Sequence, residues 1–284
     1  MTSSAGWEGD SVEDDSGGHS GRLRDPARKS PLVTLTTDFG TSSPYVSVMK
    51  GVILSRSSEV NLVDLSHEIP AQDVMQAAYF LREVVPWYPA GTIHVAVVDP
   101  GVGTERLPIC VQINGQFILC PDNGVWTLIE AMTEPVVHVL SNRAYQLEVV
   151  SHTFHGRDIF APGAAALANG IAPEELGRRL DFWQRVSLPT VRREEGVILG
   201  EVVFVDRFGN LITNIAADLL AGGINSIRIG SETIHRMVKT YGDAQQGELI
   251  TLLSSSGYLE VAEVNGHAAR RLNVGRGERV TMTA

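Results

Sequence analysis

From Pro31 to about Leu180, short apolar runs alternate with stretches in which apolar residues recur every three or four positions. This is the pattern of parallel strands joined by crossover helices. Val33 to Thr36, Asn61 to Val63 and Ile93 to Val98 are predicted strands. Between the first two, Ser43 and Pro44 supply an N-cap and a first helical residue, and Val46, Met49, Val52 and Ile53 continue the helix. Between the second and third, Asp73 to Val85 carries Val74, Ala77, Ala78, Leu81 and Val85 at helical spacing. Two βαβ units result. Ile109 to Ile113 and Phe117 to Cys120, joined through Asn114-Gly115, read as a hairpin that adds antiparallel strands to the sheet. Asp158 to Asn169 is predicted as a further helix.

Beyond Glu194 the texture changes to short β-rich runs separated by Gly-containing turns: 197–205, 211–215, 226–229, 249–253, 258–264 and 278–282. A small antiparallel barrel or sandwich fits this spacing. The expected organisation is a disordered tail over 1–30, an α/β domain with a mainly parallel sheet over 31–180, a linker over 181–193 and a β-rich domain over 194–284.

The chain of 284 residues has 33 acidic and 23 basic residues, a formal net charge of -10. That balance argues against gripping nucleic acid or an anionic membrane by bulk electrostatics, and leaves a small cationic ligand compatible. The tail holds six acids and four bases, so most of the acidity belongs to the remainder. No apolar run approaches the roughly 18 to 20 residues of a membrane span, and the N-terminus lacks the order of a secretory signal. A soluble, cytoplasmic protein is expected. Cys110 and Cys120 lack the spacing of a zinc or redox motif and are read as buried thiols.

Each of the three parallel strands ends in an aspartate: Asp38, Asp64 and Asp99. Ligands of open α/β sheets bind beyond these strand ends, so three converging carboxylates would make an acidic pocket for a metal ion, ribose hydroxyls or an organic cation. The alternative for each is a helix cap or turn residue. Asp99 opens DPGVGTER, where Pro100, Gly101 and Gly103 bend the chain so that Arg106 can meet Asp99 as a bidentate pair. The phosphate-loop spacing is absent. In Ser151 to Asp158, His152 and His155 lie three apart on a loop, unlike the helical spacing of zinc motifs, and no metal is assigned. Gly156 beside His155 permits a close backbone approach. Asp206, Phe208 and Asn210 could hold an ammonium, stack on a purine and read a base edge, or could simply form a hairpin turn.

LTTDFGTSSPYVSVMKGVI, VDLSHEIPAQD, VAVVDPGVGTER, PDNG, TFHGRDIFAP, VDRFGNLITNI and SSSGYLE run in order across residues 32 to 264. Together they resemble the S-adenosylmethionine hydroxide adenosyltransferase family, relatives of the enzymes that fluorinate or chlorinate the same molecule. The resemblance implies attack of water or hydroxide on the 5′ carbon of S-adenosylmethionine, yielding adenosine and L-methionine, with no cofactor. It implies a homotrimer with sites shared between the N-terminal part of one chain and the C-terminal part of its neighbour. Asp99, Arg106 and His155 fall on the catalytic triad positions. Asp38 falls on the holder of the ribose hydroxyls and Asp206 on a binder of the methionine ammonium. Phe208 and Asn210 match adenine contacts, and Ser255 a methionine carboxylate contact.

Two departures bear on the chemistry. The halogenating branch carries Tyr at the Asp99 position and Thr at the Val102 position, and a carboxylate beside the nucleophile would repel halide. Ser43 stands where an acidic residue near the methionine ammonium is expected. A S-adenosylmethionine-dependent halogenase and a non-catalytic adenosine- or S-adenosylmethionine-binding protein are the competing readings.

Overall fold

The structure is a computed structural model that describes residues 30–130, 134–220 and 223–283; the tail expected over 1–30 lies, but for Ser30, outside them. Strands β1 (Leu32–Thr37), β2 (Asn61–Ser66), β3 (Ile93–Val97), β4 (Pro108–Ile113), β5 (Gln116–Pro121), β6 (Val136–Val139) and β7 (Arg179–Leu180) form one sheet. Their order is β2-β1-β3-β5-β4-β6-β7. β1 pairs in parallel with β2 and β3, and β3 with β5, whereas β4, β6 and β7 add antiparallel neighbours. The expected α/β architecture with a mainly parallel beginning and an antiparallel hairpin is therefore present.

Both faces of this sheet are covered, which is why β3 is buried at every position instead of alternating. On one face α1 (Tyr45–Arg56) packs against α4 (Ala161–Ala168). On the other, α2 (Val74–Val84) packs against α3 (Thr127–Glu130), over Trp126 and Val98. Cys110 belongs to the first core and Cys120 to the second, so the two buried thiols face opposite sides of the sheet. Asp73 caps α2 by accepting from the Gln76 N–H at 2.9 Å. Ser43 does not cap α1: its hydroxyl donates to the Phe39 carbonyl at 3.1 Å and tightens the loop after β1.

The helix expected over 158–169 begins differently. Gly156–Phe160 forms a wider turn, closed by the Ala161 N–H on the Gly156 carbonyl, and only then does α4 begin. Pro162 has no N–H to return into that turn, so the ordinary spacing cannot be completed there. A short helix α5 (Pro173–Leu176) precedes β7.

The remaining strands are β8 (Arg192–Glu194), β9 (Val197–Val205), β10 (Leu211–Ala216), β11 (Ser226–Ile229), β12 (Glu232–Ile234), β13 (Leu249–Leu253), β14 (Tyr258–Glu263) and β15 (Arg279–Thr283), with α6 (Ala268–Leu272) before the last. They run in the order β12-β11-β15-β9-β10-β14-β13, with β8 also paired to β9, and all these pairs are antiparallel. The sheet curls into a nearly closed barrel around Ile198, Val202, Leu211, Ile227, Leu259 and Met282. Among the described residues no helix is long and apolar enough to cross a membrane.

Candidate active site

The strand ends of β1 and β3, the loop after β3 and the turn before α4 enclose a cavity of about 330 Å³. Asp38, Asp99 and His155 line it, together with Val102, Gln72 and the aromatic residues Phe39, Tyr45 and Phe154. Asp99 and Arg106 form the bidentate pair that their loop spacing predicts. Nε of Arg106 donates to Asp99 Oδ1 at 3.0 Å, and Nη2 donates to Oδ2. Their side chains are only 5% and 8% exposed, so the pair sits where water screens it weakly.

Gly103 lets this loop close. At its φ of 78°, a Cβ would come within 2.4 Å of the His152 carbonyl oxygen, so only glycine brings the Asp99–Arg106 loop against the segment that carries His155. Across that contact the Arg106 Nη2 reaches His155 Nδ1 at 2.7 Å. Guanidinium can only donate, so Nδ1 is the acceptor and the imidazole proton resides on Nε2. Burial, and then the positive charge of Arg106, hold the His155 pKa below its ordinary value against the opposing pull of Asp99 and Asp158. His155 is thus a neutral ring with its N–H on the outer nitrogen.

Asp158 anchors the segment from behind. Its fully buried carboxylate accepts from the backbone N–H and hydroxyl of Ser151, both at 2.8 Å, and from Arg157. Burial alone would raise its pKa, but these hydrogen bonds leave it lowered. Asp38 accepts from the Gln72 N–H at 2.8 Å through Oδ2. The third aspartate expected at a strand end behaves otherwise: β2 runs on to Ser66, and Asp64, inside it, is not among the residues lining the cavity but binds Lys50 and faces His67. Convergence therefore holds for Asp38 and Asp99 only.

Asp206, Phe208, Asn210 and Ser255 line a second, larger cavity of about 860 Å³ in the barrel, with Tyr241, Glu260 and Glu83. It shares no lining residue with the first. Asp206 shapes its own turn: Oδ1 accepts from the Phe208 and Asn210 N–H groups at 2.9 and 2.8 Å, and Oδ2 accepts from Asn210 Nδ2 at 3.0 Å. Gly209, at a φ of 87°, packs so closely on His267 that a Cβ would fall 2.1 Å from its Nδ1. Asn210 is buried by this arrangement while Phe208 is left 76% exposed, its ring free to stack. The Tyr241 hydroxyl donates to buried Glu260 at 2.6 Å, and burial, with Asp206 nearby, raises the Glu260 pKa.

Several lining residues escaped the sequence reading. Phe39, Tyr45 and Phe154 meet edge to face with centroids 5.2 to 6.0 Å apart, the first two from the passage leading from β1 into α1 and the third from the segment before α4. Gln72 owes its place to a positive φ of 65°, Glu260 to strand register, and Tyr241 to a short 3-10 turn over Tyr241–Asp243. Among the described residues, no three His, Cys, Asp or Glu side chains gather as a metal ligand set.

The family model described as the SAM hydroxide adenosyltransferase N-terminal domain matches residues 33–177, and that of the SAM hydroxide adenosyltransferase C-terminal domain matches 200–281. A protein of Salinispora tropica named (R)-S-adenosyl-L-methionine hydrolase is 37% identical over 89% of this chain and 98% of its own. One of the same name from Thermus thermophilus is 36% identical over 86% and 96%. The crystal structure of an uncharacterized conserved protein from Thermotoga maritima superimposes with a TM-score of 0.83 at 33% identity, covering 89% of this chain and all of that one.

Proposed function

The chain belongs to the SAM hydroxide adenosyltransferase family, and from that premise we propose that it is an enzyme that hydrolyses S-adenosyl-L-methionine to adenosine and L-methionine. The observation that carries this reading is the buried Asp99–Arg106 pair joined to a neutral His155 at the rim of a strand-end cavity. A sulfonium is already a good leaving group and departs as a neutral thioether, so the protein need only align water and manage its proton.

In this mechanism water attacks the 5′ carbon from the side opposite sulfur. A carbon–oxygen bond forms, the carbon–sulfur pair returns to sulfur, and the proton passes to a carboxylate. His155 carries its hydrogen on Nε2 and its Nδ1 lone pair is taken by Arg106, so it orients the water by donating. Asp99 takes the proton, and Arg106 steadies the charge as it develops. The negative charge of Asp99 disfavours halide at the same position.

Asp38 holds the ribose hydroxyls on this reading. Phe208 and Asn210 hold adenine, Ser255 the methionine carboxylate and Asp206 the ammonium, though three of the hydrogen bonds that Asp206 accepts are internal to its turn. Two cavities with no common lining residue support a homotrimer in which the first cavity of one copy faces the second cavity of its neighbour. No cofactor is required, and the setting is the cytoplasm.

Purified protein incubated with S-adenosylmethionine, excess chelator and oxygen-18 water should yield methionine and adenosine labelled at the 5′ hydroxyl. Activity that vanishes with chelator and returns with a divalent ion, or unlabelled adenosine, would overturn the mechanism. For the shared site, Asp99→Ala and Asn210→Ala proteins, assayed at S-adenosylmethionine well below KM where the first is inactive and the second impaired, should together exceed their summed separate activities once their subunits are exchanged. A fully active monomer at nanomolar concentration would exclude it.

A further inference from the structure

Asp64 lies within β2, opposite Leu35 of β1, whereas Asp38 directly follows β1; Asp64 does not line the strand-end cavity and the proposed chemistry does not use it. It faces a buried histidine. His67 is 5% exposed, and its Nε2 stands 3.0 Å from Asp64 Oδ1, off the line of a well-aligned hydrogen bond. Lys50 of α1 binds the other carboxylate oxygen. Burial would raise the Asp64 pKa, but the Lys50 and His67 contacts leave it lowered, so the carboxylate is an anion holding the ring from outside.

The other side of the ring points toward the site. Nδ1 of His67 lies 2.9 Å from the hydroxyl of Thr37, which is fully buried. That hydroxyl oxygen accepts the Phe39 N–H at 3.3 Å. With the imidazole proton on Nε2, on the Asp64 side, Nδ1 accepts from the Thr37 hydroxyl. The His67 backbone carbonyl also accepts the Gly40 N–H at 2.8 Å. His67 therefore grips residues on both sides of Asp38: its ring holds Thr37, whose hydroxyl in turn holds the Phe39 N–H, and its carbonyl holds Gly40.

We infer that His67, held by Asp64 and Lys50, is a positioning residue that aims the Asp38 carboxylate and so sets the preference of the site for a ribose diol. The inference rests on Asp38 holding the ribose hydroxyls. It assigns the motif Asp64-Leu65-Ser66-His67 a role in substrate selectivity without contact to substrate.

The test compares binding of adenosine with binding of 2′,3′-dideoxyadenosine by calorimetry on the intact protein. Wild type should prefer adenosine by about 10-fold or more, as hydrogen bonds to a charged group warrant, and Asp38→Ala should abolish the preference. His67→Leu keeps bulk but removes both ring nitrogens, and should reduce the preference at least about 3-fold while leaving dideoxyadenosine binding nearly unchanged. His67→Asn, whose amide can still meet Thr37, should recover most of it. Should His67→Leu fail to fold, Asp64→Asn, at a position 42% exposed, should reduce the same ratio by a smaller factor. A His67→Leu or Asp64→Asn protein that weakens both nucleosides equally, or leaves the ratio unchanged, overturns the inference while the Asp38 reading stands. A wild type that shows no preference, with Asp38→Ala no different, overturns both.

Discussion

The two cavities are built on opposite plans. In the cavity of about 330 Å³ the charged groups are already committed: Asp99 to Arg106, Arg106 to His155, and Asp38 to the Gln72 N–H. In the cavity of about 860 Å³, Phe208 and Ser255 are exposed and the fixed polar groups serve mainly to hold a turn. Groups that stabilise a transition state gain most when their dipoles are set before reaction, and that requires burial and mutual hydrogen bonding. Groups that only bind gain from leaving apolar surface open for a ligand to cover. The contrast separates a half of the site that does chemistry from a half that captures substrate.

The sharpest break between the halves should appear with Asp99→Asn. The amide keeps the shape but cannot take a proton, and it weakens the bond to Arg106, so turnover should fall about 100-fold or more, within the roughly 10² to 10⁴ of general base catalysis. KM should change little. A variant that instead loses affinity for S-adenosylmethionine while keeping its maximal rate would move Asp99 into the capturing half and dissolve the distinction.

Substitutions in the barrel should do the reverse. Asn210→Ala removes a buried amide that can pair with a base edge and also strips Asp206 of one hydrogen bond. KM should rise about 10-fold, as the loss of one or two hydrogen bonds warrants, with kcat within about threefold of wild type. Phe208→Ala should raise KM by a similar or smaller factor without touching the fold, because its ring is mostly in solvent. Steady-state kinetics on both variants measure this, and a drop in kcat without a rise in KM would place adenine contacts among the chemical groups.

The chemical half was the more legible in sequence, and for a physical reason. Asp99 and Arg106 lie seven positions apart in a loop bent by Pro and Gly, so local geometry alone predicts their meeting. Asp38 was marked by its strand end. The βαβ order and the hairpin followed from hydrophobic period. What stayed hidden depends on register between distant segments. Glu260 lies opposite Ile212 and Leu252 on neighbouring strands, a placement that no local pattern announces. Asp64 had the same strand-end signature as Asp38, yet the lysine and histidine that claim it come from α1 and from the turn after β2. Ser43 looked like a helix cap, but the nearer Phe39 carbonyl competes for its hydroxyl.

The smallest expected effect concerns protons, and it tests whether the chemical half is preset as described. Burial and Arg106 together lower the His155 pKa, so the neutral ring persists further into acid than a free imidazole with its ordinary value of about 6.5. Activity that needs the neutral ring is therefore present above the folded-state pKa and is lost as pH falls through it. The acid limb of the pH–rate profile should accordingly lie below that ordinary value. In Arg106→Met the repelling charge is gone, and the ring titration followed by NMR should move upward toward the ordinary value. A limb at or above about 6.5 in wild type would mean that His155 is protonated by pairing with Asp99 or Asp158. The proton would then sit on Nδ1 as well, the donation from Arg106 would be lost, and the neutral donor that orients water would have to be replaced by a cationic acid.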